Sequence, residues 1–235
     1  MKLSAEQIES LYRFTRQHYV EWYDLQTELV DHLANAIEAQ WQENPAISFD
    51  EALQKEFKKF GVFGFMDVVE KRQAALNKKY NKIVWKHFKA FFGLPKILLS
   101  AGLMASMYLL MKQLRYPEIV MYTLIVFLLM LFLTQVVRQI RFQNRKTKEG
   151  EKRWLFQEII RSYGNMSILL MIPFQVLGRL VDASDKLIQN DILLLIFCVL
   201  SIAFCIASYV ILFVIPSKAE DYLTHTYPEY RLEKV

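Results

Sequence analysis

The chain has 235 residues, 54% of them hydrophobic, and a formal net charge of +5. Two cysteines are too few for a secreted disulfide framework. With only 7 glycines and no GxxxxGK followed by Ser or Thr, it lacks the signature of a phosphate-loop ATPase.

The net charge conceals blocks. Residues 1–70 carry 6 basic against 13 acidic side chains, whereas residues 71–96 carry 8 basic ones and no acid. Such blocks report on membranes or partners rather than on fold. A basic block also suits nucleic acid, but no zinc-finger spacing and no base-reading motif accompanies it, so no nucleic-acid partner is expected. The opening MKLSAEQIESLYRF has no apolar stretch of signal-peptide length, and no cleaved leader is expected.

Residues 1 to about 92 read as four helices. Ser4 with Gln7 forms a capping-box pattern for the first, and Ser48 with Glu51 for the third. NPA at 44–46 breaks the chain between the second and third. Gly61 suits a helix C-terminal cap, and GVFGF makes a tight apolar turn into the fourth. No strand-like alternation is present.

In the second helix, Leu25, Leu29, Leu33, Ile37 and Trp41, with Val30 and Ala36, fall on one broad face at about 100° per residue. Glu28 and His32 line one border of that face, and Asp31 lies nearer the opposite side. Glu28 and His32 are the only metal-ligand candidates here, too few for a zinc site without His18 folding in, and there is no HExxH spacing. A border histidine that hydrogen-bonds Glu28 and fixes packing is the expected role; metal binding or proton sensing is the competing one. No cofactor is expected.

The fourth helix is amphipathic. Val69, Leu76, Tyr80, Ile83, Val84, His87, Phe88 and Phe91 share a face, and Lys71, Lys78, Lys79, Lys82, Lys86 and Lys89 gather opposite. The lysines are either a solvated bundle face or a surface attracted to anionic lipid.

Four segments after this read as membrane spans. Residues 94–111 are short between Lys96 and Lys112, which can snorkel, and Ser100, Gly102, Ala105 and Ser106 suit close contact with another helix. Residues 117–137 are the clearest: 13 of the 19 residues from Ile119 to Val137 are Leu, Ile, Val or Phe. At the usual transfer values these give about −4 to −8 kcal/mol of insertion drive. Residues 162–178 are weaker, interrupted by Asn165, Pro173 and Gln175 and followed by Arg179, and read as a full span or a re-entrant segment. Residues 192–216 lie in an uncharged run of 26 residues, about 39 Å as a helix. Cys198 and Cys205, two turns apart within it, are apolar fillers.

The loop after the second span carries 8 basic against 3 acidic residues from Arg138 to Arg161, and the block before the first span is wholly basic. The positive-inside rule puts both in the cytoplasm, and an even span count then leaves both termini there. The expected organisation is an all-α integral membrane protein. It has a cytoplasmic helical head (1–75), a basic juxtamembrane helix (76–93), a four-helix transmembrane domain (94–217) and a cytoplasmic tail (218–235).

ELVDHLANAIE, SFDEALQKEF and the pair Phe60–Gly61 resemble the HAAS family of small helical domains. The matching positions are Glu28, Leu29, Asp31, His32, Leu33, Glu51, Ala52, Phe60 and Gly61. The resemblance covers about residues 20–65 and departs at ENPAIS, where a glycine-containing turn is more usual. It implies an interaction module ahead of membrane spans in bacterial proteins linked to signalling or, in a related prefix form, to permeases. It brings no catalytic residues.

The expected function is therefore a multi-pass interaction or regulatory protein of the cytoplasmic membrane. Its head would engage a cytosolic or membrane protein partner through Glu28, Asp31, His32, Phe60 and Gly61, and its spans would anchor or self-associate into a homo-oligomer. The alternative is a transporter or channel subunit, suggested by Asn165, Gln175 and Arg179. An enzyme is not expected, since His18, His32, His87 and His225 are scattered and no catalytic constellation accompanies them.

Overall fold

The computed structural model describes residues 2–149, 152–163 and 184–230. Among these the chain is all-helical. It divides into two compact units, one made of residues 1–77, 151–158 and 223–235, the other of residues 78–150 and 159–222.

In the first unit, α1 (Ala5–Gln17) opens on a complete capping box. The Ser4 side chain accepts from the Gln7 amide, and the Gln7 side chain accepts from the Ser4 amide. α2 (Tyr23–Glu43) buries Leu25, Leu29, Val30, Leu33, Ile37 and Trp41, the face its spacing predicts. After the Asn44–Pro45 break, the Ala46 amide donates to the Asn44 side chain, and Ser48 then caps α3 (Phe49–Lys58) through the Glu51 amide.

The turn from α3 into α4 (Met66–Lys89) uses two glycines in the left-handed region, Gly61 at φ +79° and Gly64 at +56°. It folds Phe65 into a ring cluster with Phe14, Phe57 and Phe60, at centroid distances of 6.1, 5.0 and 4.8 Å. Two further pieces complete this unit: the start of α7 (Leu155–Arg161), and the chain from Leu223 onward, at the end of α10 (Ala219–Thr226).

In the second unit, α5 (Lys96–Gln113), α6 (Glu118–Glu149) and α9 (Asp191–Tyr209) share a core of Met107, Met111, Met121, Leu128, Leu194, Phe197 and Cys198. α8 (Ser184–Gln189) precedes α9. α9 continues through a π-helical stretch, Val210–Val214, to Ser217.

Among the described residues two helices are long and apolar enough to cross a membrane: Glu118–Phe142, mean hydropathy 2.4, and Asp191–Ser217, mean hydropathy 2.8. α5 falls short of them because lysines sit at residues 96 and 112, near both of its ends. Among the described residues its expected contact surface is only partly covered. Ser100 is buried, but a Cβ at Gly102 would meet nothing within 4 Å, and Ala105 and Ser106 are exposed. The long flexible side chains of Met107 and Met111 make the α5 contacts instead. The expected span at 162–178 lies almost wholly outside the described residues.

Candidate functional site

The first unit contains a cleft of about 320 Å³ at the start of α2. One wall is a helical stripe: Asp24, Thr27, Glu28 and Asp31 follow one another at intervals of three, one and three residues. The other walls come from distant parts of the chain, namely Arg72 on α4, Trp154 ahead of α7, and Thr226 to Glu229.

Asp24 ties these pieces together. Its Oδ1 accepts the Leu155 amide at 3.1 Å, capping the otherwise unsatisfied N-terminus of α7, and its Oδ2 accepts the Tyr227 hydroxyl at 2.7 Å. Burial pushes the Asp24 carboxyl above its ordinary 3.8, and outweighs the lowering pull of these two donors. Burial and the adjacent carboxylate push the Tyr227 phenol well above its ordinary value.

Around this link, Arg153 pairs with Glu21 and also with Glu158 at 2.9 Å. Its carbonyl accepts the Tyr23 amide at 2.7 Å, and Trp22 Nε1 donates to Glu158 at 2.9 Å. Trp154 is buried among Tyr23, Tyr227 and Tyr230, with centroids 5.4, 5.0 and 5.4 Å away.

The cleft therefore has an aromatic floor and a carboxylate rim of Glu28, Asp31 and Glu229. Arg72 is the cation of its lining, 3.9 Å from Glu28. Carboxylates beside aromatic faces suit a positively charged group carried on an apolar stem.

The residues singled out in the sequence separate here. Glu28 and Asp31 stand on one wall rather than on opposite sides of α2, because a three-residue step keeps both on the stripe that Asp24 begins. Glu28 turns to Arg72 rather than to His32, whose ring packs edge-on against Phe60 at 5.8 Å. Phe60 and Gly61 belong to the turn after α3 and do not line the cleft. Among the described residues no three His, Cys, Asp or Glu side chains gather as a metal site.

Lys71, Lys78, Lys79, Lys82, Lys86 and Lys89 all lie on the exposed side of α4. On its other side, His87 Nε2 lies 2.6 Å from the Tyr222 hydroxyl. Burial, then Lys218, Lys86 and Lys96, hold this histidine below its ordinary value. Asn165, Gln175 and Arg179 are outside the described residues.

Asp24, Arg72, Trp154, Tyr227 and Glu229 were not among the expected site residues. Asp24 was within reach, as it opens the acidic stripe; the others join it only through long-range folding.

No family model matches this chain, and no curated protein or solved structure matches it.

Proposed function

We propose that the chain is a four-span membrane protein whose acidic helical head is an interaction module on the cytoplasmic side, in keeping with its HAAS-like sequence. Its cleft receives a lysine or arginine side chain from a basic segment of a protein partner. The observation that carries this reading is the Asp24 link, which binds Leu155 and Tyr227 into the same unit as α2.

The link bears on span count by parity. Residues 2–77, 152–158 and 223–230 pack as one unit, which supports putting all three on the same side of a membrane. On that reading an even number of crossings falls between residues 77 and 151. Glu118–Phe142 is apolar enough to be one, and α5 is the other helix that lies wholly in that interval. Between residues 158 and 223, Asp191–Ser217 needs one companion crossing, which the sequence offers at 162–178.

Two further observations support a lipid setting. Only 12% of the apolar window in Glu118–Phe142 is buried, and Val126, Phe127, Met130 and Leu133 are each more than half exposed, the reverse of a soluble core helix. Lys112 at the end of α5 pairs with Asp191 at the start of α9, which brings the polar ends of two apolar helices together. The basic segments flanking residues 78 and 152 favour the cytoplasm for the head.

The test is affinity purification of the full chain from membranes in mild detergent, comparing wild type with Glu28→Gln/Asp31→Asn and identifying what co-purifies. The reading expects a protein with a basic segment, retained by wild type and lost from the variant. Recovery that is equal for both chains, or nil for both, contradicts it. A transporter or channel subunit is the second reading, favoured by the π-helical stretch Val210–Val214 within an apolar helix, a geometry frequent at functional sites.

A further inference from the structure

α4 carries a feature that a solvated lysine face does not require. Trp85 is 56% exposed and sits within that face. At 100° per residue, Lys78, Lys82 and Lys89 fall within about 60° of it around the axis. Its ring stacks on Phe88 at 5.4 Å, Phe88 packs on Phe92 at 5.2 Å, and Lys89 Nζ lies 5.5 Å from the Trp85 centroid.

The opposite face already holds Leu76, Tyr80 and Val84 in the interior, so Trp85 is not an unplaced core residue. The aromatic patch leads directly into α5, whose first turns expose Ile97, Leu98, Leu99 and Leu103. Cations interleaved with exposed aromatic rings, next to an apolar helix, match a bilayer's interfacial layer. There, indole settles among headgroups while ammonium groups meet lipid phosphates.

We infer that the face of α4 from Lys78 to Lys89, with Phe92 just beyond it, docks on an anionic phospholipid surface with Trp85 as its inserted anchor. The eight basic residues of 71–96, with no acid among them, select negative headgroups, and the ring fixes depth. An acidic protein would satisfy the lysines but not an indole flanked by two phenylalanines and continuous with bare aliphatic surface. The inference rests on the membrane reading above.

The experiment reconstitutes the full chain into vesicles of brominated phosphatidylcholine, with or without phosphatidylglycerol, and reads tryptophan emission. Trp22, Trp41 and Trp154 all lie in the first unit, so quenching by shallow bromines reports on Trp85. The expected result is quenching that grows with phosphatidylglycerol content, is mostly lost in Trp85→Phe, and loses its headgroup dependence in Lys78→Gln/Lys82→Gln/Lys89→Gln.

Quenching that is absent in the wild type, or equal in Trp85→Phe, overturns the inference. An acidic protein partner would produce that outcome. Flotation of the same vesicles after an alkaline wash separates the two claims. Protein that floats unquenched refutes lipid docking alone, whereas protein that does not float refutes the membrane reading beneath it.

Discussion

Asp24 accepts a 2.7 Å hydrogen bond from the hydroxyl of Tyr227, a residue 203 positions further along the chain. The same carboxylate caps α7 through Leu155, so one side chain on α2 gathers both remote pieces of the first unit. This tie is more than a surface contact, because the Tyr227 ring is buried against Trp154.

Tyr227→Phe keeps the ring and removes the donor, leaving one oxygen of a largely buried carboxylate without its partner. The expected cost to the first unit is about 1–3 kcal/mol. Thermal unfolding of the full chain in mild detergent, followed by tryptophan emission, measures it, since Trp154 lies 5.0 Å from the altered ring. An unchanged transition contradicts the role given to the bond.

The raised Asp24 carboxyl sets a pH dependence with a definite sign. A group whose folded value lies above its unfolded one contributes stability that is full below the unfolded value and lost as pH rises through the folded one. Asp24 therefore favours the folded unit most below about pH 3.8 and progressively less above it. Across pH 4 to 7, the melting temperature of wild type relative to Asp24→Asn should fall as pH rises. A constant difference shows that burial does not govern this carboxyl.

The two left-handed glycines after α3 differ in a testable way. At Gly61 a Cβ meets nothing within 4 Å, so Gly61→Ala adds backbone strain alone, about 1–2 kcal/mol. At Gly64 the same atom would lie 2.9 Å from the Phe57 ring, whose neighbours Phe14 and Phe65 limit its retreat. Gly64→Ala should lower the urea midpoint of the first unit more than Gly61→Ala does. The reverse order contradicts the packing described for this turn.

Much of the first unit was legible in the sequence because its signals are local. The capping box at Ser4, the apolar face of α2, the break at Asn44–Pro45 and the turn glycine at Gly61, two residues past the Lys59 cap, each depend on residues within a few positions of one another. The cleft was half legible. Glu28 and Asp31 stood out as acids on α2, and their three-residue step puts them on one stripe, but no local signal says that Arg72 and Tyr227 face it. Nothing local announces that Trp154 and Tyr227 join α2, because their partners lie more than a hundred residues away.

The α5 small-residue surface is a different case. Composition indicates that a helix can be approached closely, not which element, of this chain or of a second copy, does so.

The central claim is that the head's three pieces share one side of the membrane, the cytoplasmic one. Reporter fusions after residues 150, 190 and 235 test it most directly, using alkaline phosphatase, active outside the cytoplasm, and a fluorescent protein, bright inside it. The account predicts fluorescence at 150 and 235 and phosphatase activity at 190. Phosphatase activity at either 150 or 235 would contradict it.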